Sequence, residues 1–190
     1  YHAISSKGRF KNFKPIAISL PVFGNWFVIQ AHDGPHTHRG EWKDAWDFVI
    51  TDEEGKQYKS EGKNTDDYYC FGKPVIAPAD GEIAAIADDI EDNFVGDSNL
   101  DENWGNTIVI RHDHQLYSQI SHLKKNTVKV KIGDKVKKGD VLAACGNSGR
   151  SPEPHVHFQI QFTPFIGSKT LHYPLSHYVT KKNSQLDYQF

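Results

Sequence analysis

Short runs of β-branched and other apolar residues, separated by Gly, Pro, Asn and Asp, recur along most of the chain. No segment shows the spacing of a long amphipathic helix, so these runs indicate strands. Many short strands joined by frequent turns predict an all-β fold, a sandwich or a barrel. The runs that we predict as strands are IAISLPVF, NWFVIQAH, AWDFVI, KPVIAPADGEIAAIA, NTIVIRH, LYSQISHL, VKVKIGDKVKKGDVLAAC and HVHFQIQF.

Two polar stretches interrupt the strand pattern and are predicted to be long loops. Residues 51–69 are polar and contain glycine, and residues 88–103 carry seven carboxylates. The acidic stretch lacks the regular spacing of a calcium loop, so a solvated loop is favoured over cation binding. The length of 190 residues fits one domain. We expect a lead-in over residues 1–20, the domain over residues 21–180 and a peripheral tail over residues 181–190.

Composition and charge exclude some classes of function. Apolar residues make up 37% and charged residues 24% of the chain, as in soluble globular domains, and the net charge of −2 offers no basic surface to nucleic acid. No apolar run approaches the ~18 residues of a membrane helix. The polar start does not match a signal peptide, and with no methionine present we expect a processed or trimmed product. Cys70 and Cys145 are predicted to be buried thiols, with a single disulfide as the alternative in an exported protein.

The stretch PHVHFQIQF, residues 154–162, places two of the 11 histidines two positions apart. In a strand, side chains two apart share a face, so these imidazoles would stand about 7 Å apart at the backbone. That arrangement suits a metal site or an acid–base pair, and the alternative is a polar outer face that happens to carry histidine. The polar face would hold His155, His157, Gln159 and Gln161, and the apolar face, packed on a core, would hold Val156, Phe158, Ile160 and Phe162.

A catalytic zinc site needs three protein ligands and an open position, so further candidates are required. Asp47 in DAWDFVI is the best carboxylate, because its burial without a partner would be costly and ligation would stabilise it. His36 and His38 lie in the loop PHTHRG, and His122 follows a predicted strand in SQISHL. The alternatives are an exposed edge-strand aspartate, loop histidines and a histidine satisfied by backbone.

The other histidines give weaker signals. His112 and His114 in RHDHQ are also two apart, but no apolar run follows them, and we predict a hairpin turn that faces solvent. For His32, His172 and His177 the sequence reveals no partner.

Four segments in order resemble the lysostaphin/LytM-type zinc metallopeptidases: GKPVIAPADGEI, GNTIVIRHDHQLYSQISHL, VKIGDKVKKGDVLAACGNSGR and PHVHFQI. The resemblance covers roughly residues 36–178 and implies a compact, mostly antiparallel β-sheet domain with a substrate groove bordered by long loops. It also implies cleavage of peptide bonds in the stem or cross-bridge peptides of bacterial peptidoglycan, and therefore an extracytoplasmic location. The segment GDKVKKGD alone is also similar to biotinyl or lipoyl carrier domains, which are shorter and need no histidines.

By position in these motifs, the resemblance implies a zinc ion bound by His38, Asp47 and His157. Nine positions separate His38 from Asp47, more than in the short form of the family, and THRGEWKDAWDF resembles a longer variant. His36 stays open as the alternative ligand. The glycine that follows the loop histidines favours His38.

His122 and His155 would then face the metal without binding it. One would act as general base and the other would stabilise the oxyanion, in an order that the resemblance leaves open. Glu153 and Gln159 stand where the family often has Gly and Glu, which affects the expected substrate more than metal binding. The competing interpretation is a catalytically inactive module that binds the wall or activates other wall hydrolases, and the complete set of candidate residues favours the enzyme.

Overall fold

The computed structural model describes residues 16–176, 178–182 and 185–189. Within these ranges it contains eleven strands and three single-turn 3₁₀ helices, so the predicted all-β class is confirmed. No helix in the described part of the chain is long and apolar enough to cross a bilayer. The helical turns are Gly40–Trp42, Thr65–Asp67 and Asp113–Gln115. The strands are β1 (Phe27–Gln30), β2 (Ala45–Val49), β3 (Pro74–Ile76), β4 (Gly81–Ala87), β5 (Asn106–Arg111), β6 (Tyr117–Leu123), β7 (Lys135–Val136), β8 (Val141–Ala144), β9 (Val156–Gln161), β10 (Tyr178–Lys182) and β11 (Gln185–Gln189).

Seven strands form one antiparallel sheet in the order β1-β2-β9-β6-β5-β4-β7. Strands β3 and β8 form a second, two-stranded sheet, and β10 and β11 pair as a hairpin. The centre of the large sheet combines β2, β9 and β6, which are far apart in the chain. This topology brings the DAWDFVI, PHVHFQI and SQISHL segments side by side.

One face of the large sheet packs on the hydrophobic core. Val156, Phe158 and Ile160 of β9 are fully buried there, together with Phe48 and Ile120 from the neighbouring strands. Burying a side chain of this size contributes about 1.5–3 kcal/mol. The predicted apolar face of β9 is therefore confirmed up to Ile160.

One end of that prediction is wrong. Strand β9 ends at Gln161, and Phe162 is 62% exposed instead of packed in the core. Gln159 and Gln161 lie on the predicted polar face with His157, and both are buried there. The residues that follow β9 accept hydrogen bonds from both amides, at the carbonyls of Ser168 and Phe165.

Two further local predictions are wrong. Residues 16–23 form no strand beyond a single bridge between Val22 and Val75, and Pro21, which lacks an N–H, cannot donate to a ladder. His112 is buried and does not face solvent. Its Nδ1 lies 2.7 Å from the Asp80 carbonyl and its Nε2 lies 2.9 Å from Ser118 Oγ.

Other expectations agree with the structure. Residues 51–69 and 88–103 contain no strand and run as loops, interrupted by one 3₁₀ turn and isolated bridges. Cys70 and Cys145 are buried free thiols. Residues 1–15 of the predicted lead-in and His177 lie outside the described residues.

Candidate metal centre

The centre is built on a direct cross-strand pair between β2 and β9. Asp47 and His157 are register partners in the antiparallel ladder, so their side chains leave the sheet on the same face. His157 Nδ1 lies 2.9 Å from Asp47 Oδ1. Both residues are buried, although 110 positions separate them in the chain.

The loop between β1 and β2 supplies the third side chain. His38 is buried, and its Nε2 lies 3.2 Å from Asp47 Oδ1. His36 is exposed, and its backbone amide donates to Gln30 Oε1 at 2.8 Å. The structure therefore brings His38, and not His36, to the carboxylate.

Each imidazole of this group is held by a hydrogen bond on its far side. His38 Nδ1 donates to the Ala31 carbonyl at 2.9 Å, and His157 Nε2 lies 3.0 Å from Gln159 Oε1. A carbonyl oxygen only accepts, so these contacts place a proton on His38 Nδ1 and His157 Nε2. His38 Nε2 and His157 Nδ1 are then the atoms that face Asp47. The sequence gives no signal for the Ala31 acceptor, which is a backbone atom.

The carboxylate is oriented in the same way. Gln30 Nε2, at the end of β1, donates to Asp47 Oδ2 at 2.8 Å and leaves Oδ1 toward the two imidazoles. Burial raises the pKa of Asp47, but hydrogen bonds from His157 and His38 outweigh it, so the pKa lies well below its usual range. Burial lowers the pKa of His38, and the Asp47 contact outweighs that effect and raises it. The centre therefore favours positive charge, whether a proton or a metal ion.

His122 reaches the same face through a bulge. Regular alternation along β6 would put His122 beside Ile120 on the core face. The register between β5 and β6 shifts in this region, and His122 has a φ of 61°, in the left-handed region. The bulge turns the ring toward the centre, where it lies 4.7 Å from the His155 ring and 5.9 Å from the His157 ring, centroid to centroid.

His122 and His155 share one hydrogen-bonding arrangement. His122 Nδ1 donates to the Ser148 carbonyl and His155 Nδ1 to the Glu153 carbonyl, both at 2.8 Å. In the neutral rings Nε2 is thus the free acceptor. His155 Nε2 lies 3.9 Å from Asp47 Oδ1. Burial, with the neighbouring His155 and His157, holds the pKa of His122 well below its usual range, so this ring is neutral near pH 7.

A groove of about 980 Å³ opens above these side chains. Its walls carry aromatic rings and charges: Trp42, Trp104, Arg39, Arg150 and Glu153. The Trp42 and Trp104 rings meet edge to face with centroids 5.9 Å apart, and Trp104 lies 5.2 Å from the His157 ring. Gln57 from one long loop and Leu100 from the acidic loop also line it, as expected for loops that border a groove.

Residues 63–169 match the model of peptidase family M23, and the chain belongs to this family. The resemblance on which the sequence expectations rest is thereby confirmed at the level of the family. The matched range includes His122, His155 and His157 and begins after His38 and Asp47. Their candidacy as ligands therefore rests on the geometry of the site and on the motif resemblance.

Curated relatives resemble only part of this chain. It is 36% identical over 88 residues to an uncharacterized metalloprotease of Haemophilus influenzae, covering 46% of this chain and 16% of that protein. It is 31% identical over 88 residues to the peptidoglycan DD-endopeptidase ShyC of Vibrio cholerae, covering 46% of this chain and 19% of that protein. The matched part thus spans less than a fifth of the length of either relative.

Among solved structures, the fold is similar to that of the antimicrobial peptidase lysostaphin from Staphylococcus simulans. The two superpose with a TM-score of 0.51 at 21% identity, over 83% of this chain and 51% of the other. The comparison supports a mostly antiparallel β domain with the lysostaphin fold.

Proposed function

We propose that this protein is a zinc-dependent endopeptidase that cleaves peptide bonds in bacterial cell-wall peptidoglycan. The observation that carries the proposal is the convergence of His38 Nε2, Asp47 Oδ1 and His157 Nδ1, which lie within 4.8 Å of one another at the floor of the groove. Membership of peptidase family M23 and the similarity to a peptidoglycan DD-endopeptidase support a wall substrate.

The three side chains fit a zinc ion. The separations of 3.2 Å and 2.9 Å between ring nitrogens and Asp47 Oδ1 approach the roughly 3.3 Å between donors of a tetrahedral site with bonds of about 2.0–2.1 Å. Two nitrogens and one carboxylate oxygen are the usual donors of a catalytic zinc with one open position. When bound there, zinc would polarise the scissile carbonyl and lower the pKa of the attacking water toward about 7.

The second imidazole pair would move protons at the reacting atoms. His122 is neutral, with Nε2 free, which suits acceptance of a proton from water. His155 stands beside it with Nε2 toward the centre, where its N–H form would donate to the oxygen of the tetrahedral intermediate. We assign the base role to His122, because burial lowers its pKa, and the stabilising role to His155.

The groove has the form expected for an extended peptide. The Trp42 and Trp104 rings offer apolar surface near the metal ligands, and Arg39, Arg150 and Glu153 offer charges for the polar ends and side chains of a stem or cross-bridge peptide. Because such a substrate lies outside the cytoplasm, we also propose an extracytoplasmic location. The relevant partner is then peptidoglycan and not nucleic acid.

The test is mass spectrometry of purified peptidoglycan after incubation with the protein. Walls with direct and with bridged cross-links would be compared, with and without a zinc chelator, and with a His157→Ala variant as control. We expect release of fragments with new peptide termini, which the chelator and His157→Ala both abolish. If the zinc-loaded protein binds these walls and releases no fragments, the proposed peptidase activity is refuted and the inactive binding module is favoured.

A further inference from the structure

A second cluster of potential metal ligands lies outside the groove. Asp44 immediately precedes β2, His32 follows β1 by two residues, and His172 lies beyond β9. Asp44 Oδ1 is 3.4 Å from His32 Nδ1 and 3.2 Å from His172 Nδ1. All three ligand atoms lie within 4.8 Å of one another. The His32 and Trp46 rings pack with their centroids 4.4 Å apart. The Trp46 side chain lies on the face of β2 opposite to Asp47.

The cluster contains a polar atom that the protein itself does not satisfy. His32 Nδ1 is buried and has no hydrogen-bond partner, although Asp44 Oδ1 lies nearby. A buried polar atom without a partner destabilises the fold. Its distance from Asp44 Oδ1 matches the spacing of two donors around a tetrahedral metal, about 3.3 Å. A metal ion would bind the lone pair that no donor of the chain reaches.

We propose that His32, Asp44 and His172 form a second binding site for zinc or a similar divalent transition-metal ion. This site is separate from the catalytic centre. Two imidazole nitrogens and one carboxylate oxygen favour zinc or a neighbouring late transition metal over magnesium or calcium, which prefer all-oxygen sites. Burial and the neighbouring His172 lower the pKa of His32, which keeps its ring in the neutral form that binds metals. The side chain of His172 is 73% exposed, so the site is open to solvent and exchanges its ion readily.

The second site would join three segments that surround the catalytic ligands. Thr170 already anchors the segment of His172, since its Oγ1 accepts from the Asp44 amide at 3.0 Å. His32 follows Ala31, whose carbonyl accepts the hydrogen bond from His38 Nδ1. A metal on His32 would fix this acceptor and, through it, the ring of His38. The site therefore has a structural role beside the proposed peptidase activity.

The experiment is a zinc titration of metal-free protein followed by native mass spectrometry, with zinc alone as the probe. We expect two bound ions in the wild type. His172→Ala should lose the weaker one, with a dissociation constant raised about tenfold or more because one of three ligands is missing. Lys169→Ala, a change at an exposed neighbour, should keep both ions. His157→Ala should keep the second ion and lose the first, which separates this proposal from that of the catalytic centre.

A thermal measurement gives a second, independent test. In the His157→Ala background, added zinc should raise the melting temperature, and the double variant His157→Ala/His172→Ala should show no rise. The proposal is overturned if His157→Ala binds no ion at saturating zinc, or if His172→Ala binds the second ion as tightly as the wild type does. Either result would reduce the cluster to an ordinary contact between an aspartate and two histidines.

Discussion

Asp47 and His157 face each other across two antiparallel strands, with His157 Nδ1 2.9 Å from Asp47 Oδ1. The same oxygen also receives His38 Nε2, at 3.2 Å. Asp47 Oδ1 thus contacts both imidazoles. The second nitrogen of each ring donates to an oxygen of the protein, the Ala31 carbonyl for His38 and Gln159 Oε1 for His157. A cation at this point would meet three ligand atoms that the protein already holds in place.

The first prediction tests the ligand set. His157→Ala and His38→Ala should each lose the tightly bound zinc, because only two of its three ligands would remain. His36→Ala is the matched control, since it removes a histidine two positions away whose ring is not placed against Asp47. Elemental analysis of dialysed protein measures the result. Loss of zinc in His36→Ala with retention in His38→Ala would reverse the assignment.

The second prediction concerns His122. His122→Ala should retain the tightly bound zinc and lose turnover on peptidoglycan by about 10²–10⁴-fold, the usual contribution of a general base. Turnover and zinc content should be measured on the same preparation. Turnover at the wild-type level would exclude a catalytic role for this residue.

The third prediction separates two functions of Gln159. Gln159→Leu removes the acceptor for His157 Nε2 and should weaken zinc binding about 10–100-fold. Gln159→Glu keeps an acceptor and should bind zinc at least as tightly as the wild type. It loses the donor to Gln161 Oε1 and the Ser168 carbonyl, so its unfolding free energy should fall by about 1–3 kcal/mol. Equal zinc affinity in all three proteins would show that Gln159 does not orient His157.

The fourth prediction concerns the support beneath His122. Gly105 has a φ of 60°, and a Cβ on it would stand 2.3 Å from the Ser148 carbonyl oxygen, the acceptor of His122 Nδ1. Gly105→Ala should lower the unfolding free energy by about 1–3 kcal/mol more than Gly139→Ala, because overpacking adds to backbone strain. Gly139 has a φ of 91° but open space around its Cβ position, so it controls for strain alone. Denaturant melts of both variants provide the comparison, and equal losses would exclude the steric effect.

The fifth prediction is a pH dependence of stability. His122 has a lowered pKa in the folded, metal-free protein, whereas the unfolded chain takes up its proton near the ordinary value of 6.5. The stabilising contribution of neutral His122 is therefore present above about pH 6.5 and is lost as the pH falls below it. The difference in unfolding free energy between chelator-treated wild type and His122→Ala should be constant above that pH and should shrink as the pH falls below it. A difference that stays constant with pH would contradict the lowered pKa.

Local sequence patterns were sufficient for the fold class and for part of the site. Alternation along residues 155–160 correctly placed Val156, Phe158 and Ile160 in the core and the two histidines on the opposite side of the chain. The same pattern failed at Phe162, because β9 ends one residue earlier. The prediction that His112 faces solvent also failed, because this ring contacts the carbonyl of Asp80, 32 positions away.

The strand-rich class, the histidine pair and the chemical type of the candidate ligands follow from side chains that are close together in the chain. The fold was needed to show that His38 rather than His36 meets Asp47, and that Gln159 contacts His157. It alone turned His122 onto the site face, through a bulge and a positive φ that strand alternation does not foresee. It also brought His32 and His172 to Asp44. The physical reason is that antiparallel register and loop closure join residues distant in the chain, and local periodicity carries no information about either.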